Sequence, residues 1–234
     1  LGASEVQIWT DVDGILNTDP RLVPEAKVLP QVSFNEAGEL AYFGAKVLHP
    51  KTIKPAIEKN IPVKILNTFN PSAPGTLITN EEDSSLKAVT YKKGISIINV
   101  ASAGMLEAKG FLAKLFEVFA RHEISVDVVS TSEVSVSLTV ENDHSKGGQG
   151  AAEKVLEDLR EFATVEVQDG MAIVCLVGGG IISNHKVLGE LFSAVSEHDV
   201  WMVSQGASKR NVTFIVKEEE AQEVVKKVFN KFFK

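Results

Sequence analysis

Two residues of this chain stand out as capable of chemistry because they interrupt a repeat. The stretch HEISVDVVSTSEVSVSLTV (His122 to Val140) returns 76 positions later, without a gap, as HDVWMVSQGASKRNVTFIV (His198 to Val216). Asp127 stands inside the apolar run Ile124 to Val129 of the first copy, and its counterpart is Val203. A carboxylate in such a strand is costly unless it is paired. Asp127 therefore caps a turn, faces solvent at a strand end, or pairs with a cation. Upstream, Gly110 opens a helical run where the second copy has Lys186. A helix start leaves backbone N–H groups unpaired and carries partial positive charge, and glycine lets a carboxylate approach them. An ordinary N-terminal glycine is the other reading of Gly110. Glu133 against Lys209 adds negative charge to the first copy alone. Taken together, the first copy offers an anion site at Gly110 and a cation site at Asp127 and Glu133. A free amino acid carries the matching carboxylate and ammonium, and a basic one carries a second ammonium.

The elements that must position these residues follow from periodicity. Lys87 to Lys92 and Ser96 to Val100 read as strands, and Phe111 to Arg121 as a helix with Phe111, Leu112, Leu115, Phe116 and Phe119 on one face. Val126 to Ser130 is a strand. Glu133 to Val140 alternates, with Val134, Val136, Leu138 and Val140 on one side and Ser135, Ser137 and Thr139 on the other. Ala152 to Phe162 reads as a helix and Thr164 to Val167 as a strand, which completes β-α-β-β-α-β. The second copy runs strand Met171 to Val177, helix Val187 to Glu197, strands Trp201 to Ser204 and Asn211 to Val216, and helix Glu219 to Phe229. Each copy is thus a ferredoxin-like layer of helices on an antiparallel sheet. The second has no strand after its last helix, and Lys87 to Lys92 is free to fill that place.

The first eighty residues differ in character, with frequent Pro, Gly and Asp punctuation. Val6 to Thr10 and Val63 to Asn67 read as strands, and Asn35 to Leu48 and Ile53 to Lys59 as helices. This is α/β material, followed by the polar, acidic linker NEEDSS (Asn80 to Ser85).

Composition bounds the function. The 234 residues are 44% hydrophobic and 24% charged, as in a soluble globular protein. A net charge of −7 and a pI near 5.3 argue against nucleic acid or an anionic membrane surface as partner. No apolar run approaches the roughly 20 residues of a bilayer span, and no secretory signal is visible. The single cysteine, Cys175, lies in an apolar strand and reads as a buried core residue, and the expected compartment is the cytoplasm. The chain begins at Leu1 rather than Met, so it is expected to be a fragment of something longer.

These residues resemble a known family. GMLEAKGFLAKLFEVFARHEISVDVVSTSEVSVSLTV is similar to the first ACT domain of aspartokinases of the lysine-sensitive type. WTDVDGILNTDPR and FGAKVLHP, within residues 1–80, resemble the C-terminal part of the catalytic amino-acid-kinase domain of the same enzymes. The resemblance covers essentially the whole chain. It implies residues 1–80 as that catalytic part, 81–93 as a linker with a strand completing the second ACT domain, 94–168 as ACT domain 1, and 169–234 as ACT domain 2. It implies transfer of the γ-phosphoryl of ATP, with magnesium, to the β-carboxylate of aspartate, the first step toward lysine, threonine and methionine. Phosphoryl transfer of this kind needs a nucleotide pocket and positioned cations more than covalent chemistry. The resemblance assigns nucleotide contacts to Thr10, Asp11, Asp19, Arg21 and Lys46. It assigns L-lysine as effector, bound by Met105, Gly110, Phe111, Leu112, Ser125, Val126, Asp127, Ser132 and Glu133. Gly110, Asp127 and Glu133 are also the residues picked out by comparing the two copies. A homodimer or tetramer through the ACT domains is implied. The N-terminal half of the kinase domain is missing, so this chain is expected to hold no catalytic residue, no metal site and no tightly bound nucleotide of its own. The competing readings are a separate regulatory subunit that docks on a kinase chain, and plain dimerisation domains without a ligand.

Overall fold

The computed structural model describes residues 2–44, 50–106, 109–142 and 148–234. The first part is a four-stranded sheet in the order β1 (Val6–Thr10), β3 (Val63–Asn67), β4 (Thr76–Thr79), β2 (Gln31–Ser33), with helices α1 (Phe34–Tyr42) and α2 (Pro50–Glu58). β1 and β3 are parallel, Val6 facing Val63 and Thr10 facing Asn67. β2 and β4 were not foreseen: they are three and four residues long, too short for a period to show. Ser33 starts α1 through a capping box, its hydroxyl accepting from the Glu36 N–H while the Glu36 carboxylate accepts from the Ser33 N–H. The helix expected over Asn35 to Leu48 stops at Tyr42, because Gly44 turns the chain to φ 121°.

The second part is one six-stranded sheet in the order β6-β7-β5-β8-β10-β9. Its strands are β5 (Leu86–Ala101), β6 (Val126–Thr131), β7 (Ser135–Glu141), β8 (Thr164–Gly178), β9 (Met202–Gln205) and β10 (Asn211–Lys217). The helices are α3 (Phe111–Arg121), α4 (Gly148–Arg160), α5 (His185–Ala194) and α6 (Ala221–Phe233). The strands expected at Lys87 to Lys92 and Ser96 to Val100 are a single strand, β5, and those at Thr164 to Val167 and Met171 to Val177 are a single strand, β8. Both long strands pass a glycine in the left-handed region, Gly94 (φ 71°) and Gly170 (φ 70°), and the pairing register shifts there. Each gap between apolar runs is therefore an irregularity within a strand rather than a turn.

β5 and β8 pair antiparallel along their length. The first half of β5 lies beside the second half of β8, which also pairs with β10; the second half of β5 pairs with β7. The second copy thus takes its fourth strand from the first half of β5, ahead of the first copy, as the sequence left open for Lys87 to Lys92. Ile98 and Val100 of β5 pack with Leu115, Phe119 and Leu159 under α3 and α4, whereas Val89 packs with Val174, Leu191 and Val225 under α5 and α6. The opposite face carries Ile95, Ile97, Ile173 and Cys175, which join a core continuous with Leu40 and Phe43 of the first part. Met171 to Val177 are buried on both faces. Burial also raises the Cys175 thiol far above its ordinary pKa, so it is inert. The repeated histidines both sit behind the first helix of their copy. His122 Nε2 lies 2.8 Å from Asp158 of α4, and His198 faces Glu220 and Glu223 at the start of α6 at 3.5 and 3.7 Å.

The linker is pinned from both sides. Glu82 accepts from Arg210 (2.7 and 3.0 Å) and from Asn35 of α1 (2.9 Å), and Asp83 accepts from Lys87 (2.7 Å). The Lys87 ammonium holds the Asp83 carboxyl down to about 2, and Arg210 holds that of Glu82 below its usual range.

Two outcomes follow from this architecture. Gly94 has open space where a Cβ would stand, so Gly94→Val meets only backbone strain. It should cost about 1–2 kcal/mol in urea unfolding. Asp83 and Glu82 are depressed in the folded chain, so their stabilisation is full above the unfolded carboxyl range near pH ~4 and is lost as pH falls toward about 2. The urea midpoint should drop across that window, and Asp83→Asn should flatten the drop.

Candidate functional site

The bulge in β6 decides where the first candidate residue points. Val126 faces Val140 of β7 and Val129 faces Leu138, so Asp127 and Val128 together oppose Thr139, whose hydroxyl accepts from the Val128 N–H at 2.9 Å. Val126 packs in the α3–α4 core and Val128 in the opposite core. Two residues of a regular strand spaced by two share a face, so only the extra residue makes this possible.

Asp127 is turned toward α1. Its side chain is 3% exposed. Oδ2 accepts from Lys92 Nζ of β5 at 3.0 Å, and Oδ1 accepts from the Tyr42 hydroxyl at 2.5 Å. Lys92 also pairs with Glu141 and lies 5.0 Å from the centre of the Tyr42 ring. Burial and the Asp127 carboxylate push the Tyr42 phenol well above its ordinary pKa, while the Ser125 hydroxyl acts the other way. Asp127 thus neither caps a turn nor faces water: it is paired, and the cation belongs to the chain itself. The sequence reading missed Tyr42 and Lys92. The available signal was Lys92-Lys93 standing in a run otherwise patterned for burial.

Gly110 precedes the first residue of α3 at φ 94°, with no side-chain cap. In the second copy Lys186 is not the equivalent cap. There α5 starts earlier, at His185, and Asn184 caps it by accepting from the Lys186 N–H at 3.2 Å. The first copy therefore leaves its helix start uncapped where the second satisfies its own. Met105, Phe111 and Val126 line the edge of the α3–α4 core, and Leu112 is 40% exposed. The Ser132 hydroxyl lies 2.7 Å from that of Ser135, beside exposed Glu133.

The other group of candidates divides: Thr10 and Asp11 stand at the C-terminal end of β1, which runs parallel to β3, whereas Asp19 and Arg21 lie in the segment whose Leu22 and Val23 pack with the α5–α6 core. Ligands of α/β sheets bind at such strand ends. Thr10 ends β1, its hydroxyl donating to Asp11 at 3.1 Å. Asp13 accepts from Asn67 (2.7 Å) and Asn70 (3.1 Å), and Phe69 beside them is 83% exposed. Asp19 holds the Arg21 guanidinium by three hydrogen bonds of 3.0, 3.2 and 2.8 Å, which lowers the carboxyl's pKa, while the Arg21 side chain stays 87% exposed. Asn17, in the same segment, accepts at its carbonyl from the Val89 N–H of β5 (3.0 Å). Lys46 lies outside the described residues. Among the described residues, no three His, Cys, Asp or Glu side chains converge to hold a metal ion, and no helix is long and apolar enough to cross a membrane.

Comparison with known proteins matches both parts of the chain. Residues 1–67 match the amino acid kinase family, and residues 98–156 and 174–232 each match the ACT domain. Aspartokinase 1, chloroplastic, of Arabidopsis thaliana is 44% identical over the whole chain, which covers 42% of that protein. The structure of E. coli aspartokinase III in complex with aspartate and ADP (R-state) superposes with a TM-score of 0.91 at 40% identity, over 99% of this chain and 53% of that one. The structure of the same enzyme in complex with lysine and aspartate (T-state) gives 0.84 at 39% identity, over 99% and 52%. The chain spans about half the length of the relatives it matches.

The uncapped start of α3 gives a direct comparison between the copies. At φ 94°, Gly110→Ala should destabilise the chain by about 1–2 kcal/mol, whereas Lys186→Ala should stay within about 0.5 kcal/mol. Thermal unfolding of the two variants side by side checks this.

Proposed function

The chain belongs to the aspartokinase family, and from that premise we propose that it is the feedback-regulated C-terminal part of an aspartate kinase, inhibited by L-lysine bound at the first ACT copy. The observation that carries the reading is the asymmetry between the copies. Only the first has both a carboxylate drawn out of its strand by a bulge and a helix start without a cap. These two features complement an amino acid's ammonium and carboxylate. The lysine complex of the E. coli relative supports this choice of effector.

In this reading ATP is the phosphoryl donor and aspartate the acceptor. Thr10 and Asp11 stand at the end of β1, where a nucleotide would lie; Asp19 and Arg21 are assigned by resemblance, and the exposed Arg21 guanidinium, held by Asp19, would exchange that partner for a phosphate. Magnesium neutralises charge on the phosphates. The remainder of the kinase domain is not within these 234 residues, so we assign the chain alone no kinase activity. A free-standing regulatory subunit is disfavoured by the kinase-family match over residues 1–67. Edge strand β6, with Val129 37% exposed, and the turn after it, with Val134 42% exposed, form the surface we assign to self-association. We place the protein in a reducing compartment such as the cytoplasm, where a lone buried thiol needs no partner.

Inhibition is a population shift: lysine stabilises an arrangement in which the kinase part is misaligned. The test is titration calorimetry of this chain with L-lysine and, as control, L-threonine. Lysine alone should bind, and Asp127→Ala should weaken it about tenfold or more, the loss of one charge-assisted hydrogen bond. Parental affinity in that variant would overturn the site assignment.

A further inference from the structure

Asp127 is already occupied. Its side chain is enclosed by Lys92 and Tyr42, so a ligand ammonium can reach it only by displacing one of them. Lys92 has somewhere to go. Glu141 pairs with the same ammonium and is half exposed, so Lys92 can leave Asp127 and keep a counter-charge in contact with water. Tyr42 has less. It loses a charged acceptor and the cation above its ring, and keeps the Ser125 hydroxyl.

We propose that Lys92 is an internal stand-in for the effector's ammonium: it holds Asp127 in the free chain, and a ligand ammonium that takes the carboxylate releases Tyr42 and with it the end of α1. This rests on the reading of Asp127 as an effector ligand. The geometry shows what the release bears on. Tyr42 is the last residue of α1 and its ring packs edge-on against Phe43 at 5.0 Å. The Phe43 carbonyl accepts from Thr90 of β5 at 2.8 Å. One residue back along β5, the Val89 N–H donates to Asn17, in the segment that holds Asp19 and Arg21. One turn earlier α1 is tied to the second copy, Glu39 accepting from Asn211 at 2.6 Å, and at its start Asn35 donates to Glu82 of the linker. The helix therefore spans both copies, and this carboxylate is a polar contact it makes to the first, beside the shared apolar core. The second copy has no such device, since Val203 stands in place of Asp127 and is 42% exposed.

The test combines calorimetry with amide hydrogen exchange on the 234-residue chain. Lys92→Met removes the competing ammonium and keeps the stem, and should bind L-lysine about tenfold tighter than the parent. Lys92→Arg keeps the competitor and should not. In the parent, L-lysine should speed exchange at residues 36–44. In Tyr42→Phe, exchange there should be fast from the start and unchanged by ligand. Lysine binding to the parent with equal affinity in Lys92→Met, or without a change in exchange at 36–44, overturns the proposal and leaves the effector reading intact. Binding to Lys92→Met but not to the parent supports it. Lysine binding to none of these chains overturns both. If Lys92→Met does not fold, the exchange comparison of the parent with Tyr42→Phe decides alone.

Discussion

The antiparallel pairing of β5 with β8 is the interaction on which the rest of the structure depends. Each ferredoxin-like unit needs four strands, and the second finds its fourth in the first half of β5, which runs on into the first copy. The halves of β5 and β8 serve different copies, so the two copies fold as one sheet with one hydrogen-bonded spine. Unpaired edges are a hazard in small sheets, and sharing removes two of them. It also commits the helices: α3 with α4, and α5 with α6, each cover their own half, while the far face is left for α1 and the strands of the first part.

That shared face makes the first part and the repeat a single body. Leu40 and Phe43 from α1 join Ile97, Ile173 and Cys175 from the sheet in one buried cluster. Polar contacts at its rim run the same way, from Asn17 to Val89, from Glu39 to Asn211 and from Tyr42 to Asp127. A change at the first copy thus meets the kinase-family residues directly, through packed side chains and single hydrogen bonds, rather than across a flexible joint. The linker Asn80 to Ser85 is polar and acidic in composition, and Glu82 and Asp83 bind Arg210 and Lys87 and tie it down.

The carboxylate of Asp127 shows how a costly group is tolerated. Left alone in an apolar strand it would be heavily penalised. Here it has an ammonium, a phenol and almost no water. Such a pair adds little net stability, because desolvation offsets attraction. What it confers is a defined arrangement of three elements, α1, β5 and β6, around one charge. The second copy keeps the same strand order with valine at that position, so the fold itself does not require the carboxylate.

The amino-acid sequence by itself determined the repeat, the order of elements in each copy, and the positions where the copies part. Apolar periodicity and a gapless internal alignment are local properties, and they survive without coordinates. Helices such as Phe111–Arg121 and strands such as Asn211–Lys217 were legible for that reason. The strands β2 and β4 were not, because three or four residues carry no period. The continuity of β5 and β8 was also hidden, since a glycine at positive φ inside a strand looks the same in sequence as a turn. Sequence could say that Asp127 must cap a turn, meet solvent or find a cation, because desolvation cost follows from residue type and surroundings. Only tertiary structure decided that the partners are Lys92, 35 residues away, and Tyr42, 85 residues away. A single extra residue in β6 sets the direction of that side chain, and bulges are fixed by how strands pack against their neighbours, not by the residues that form them.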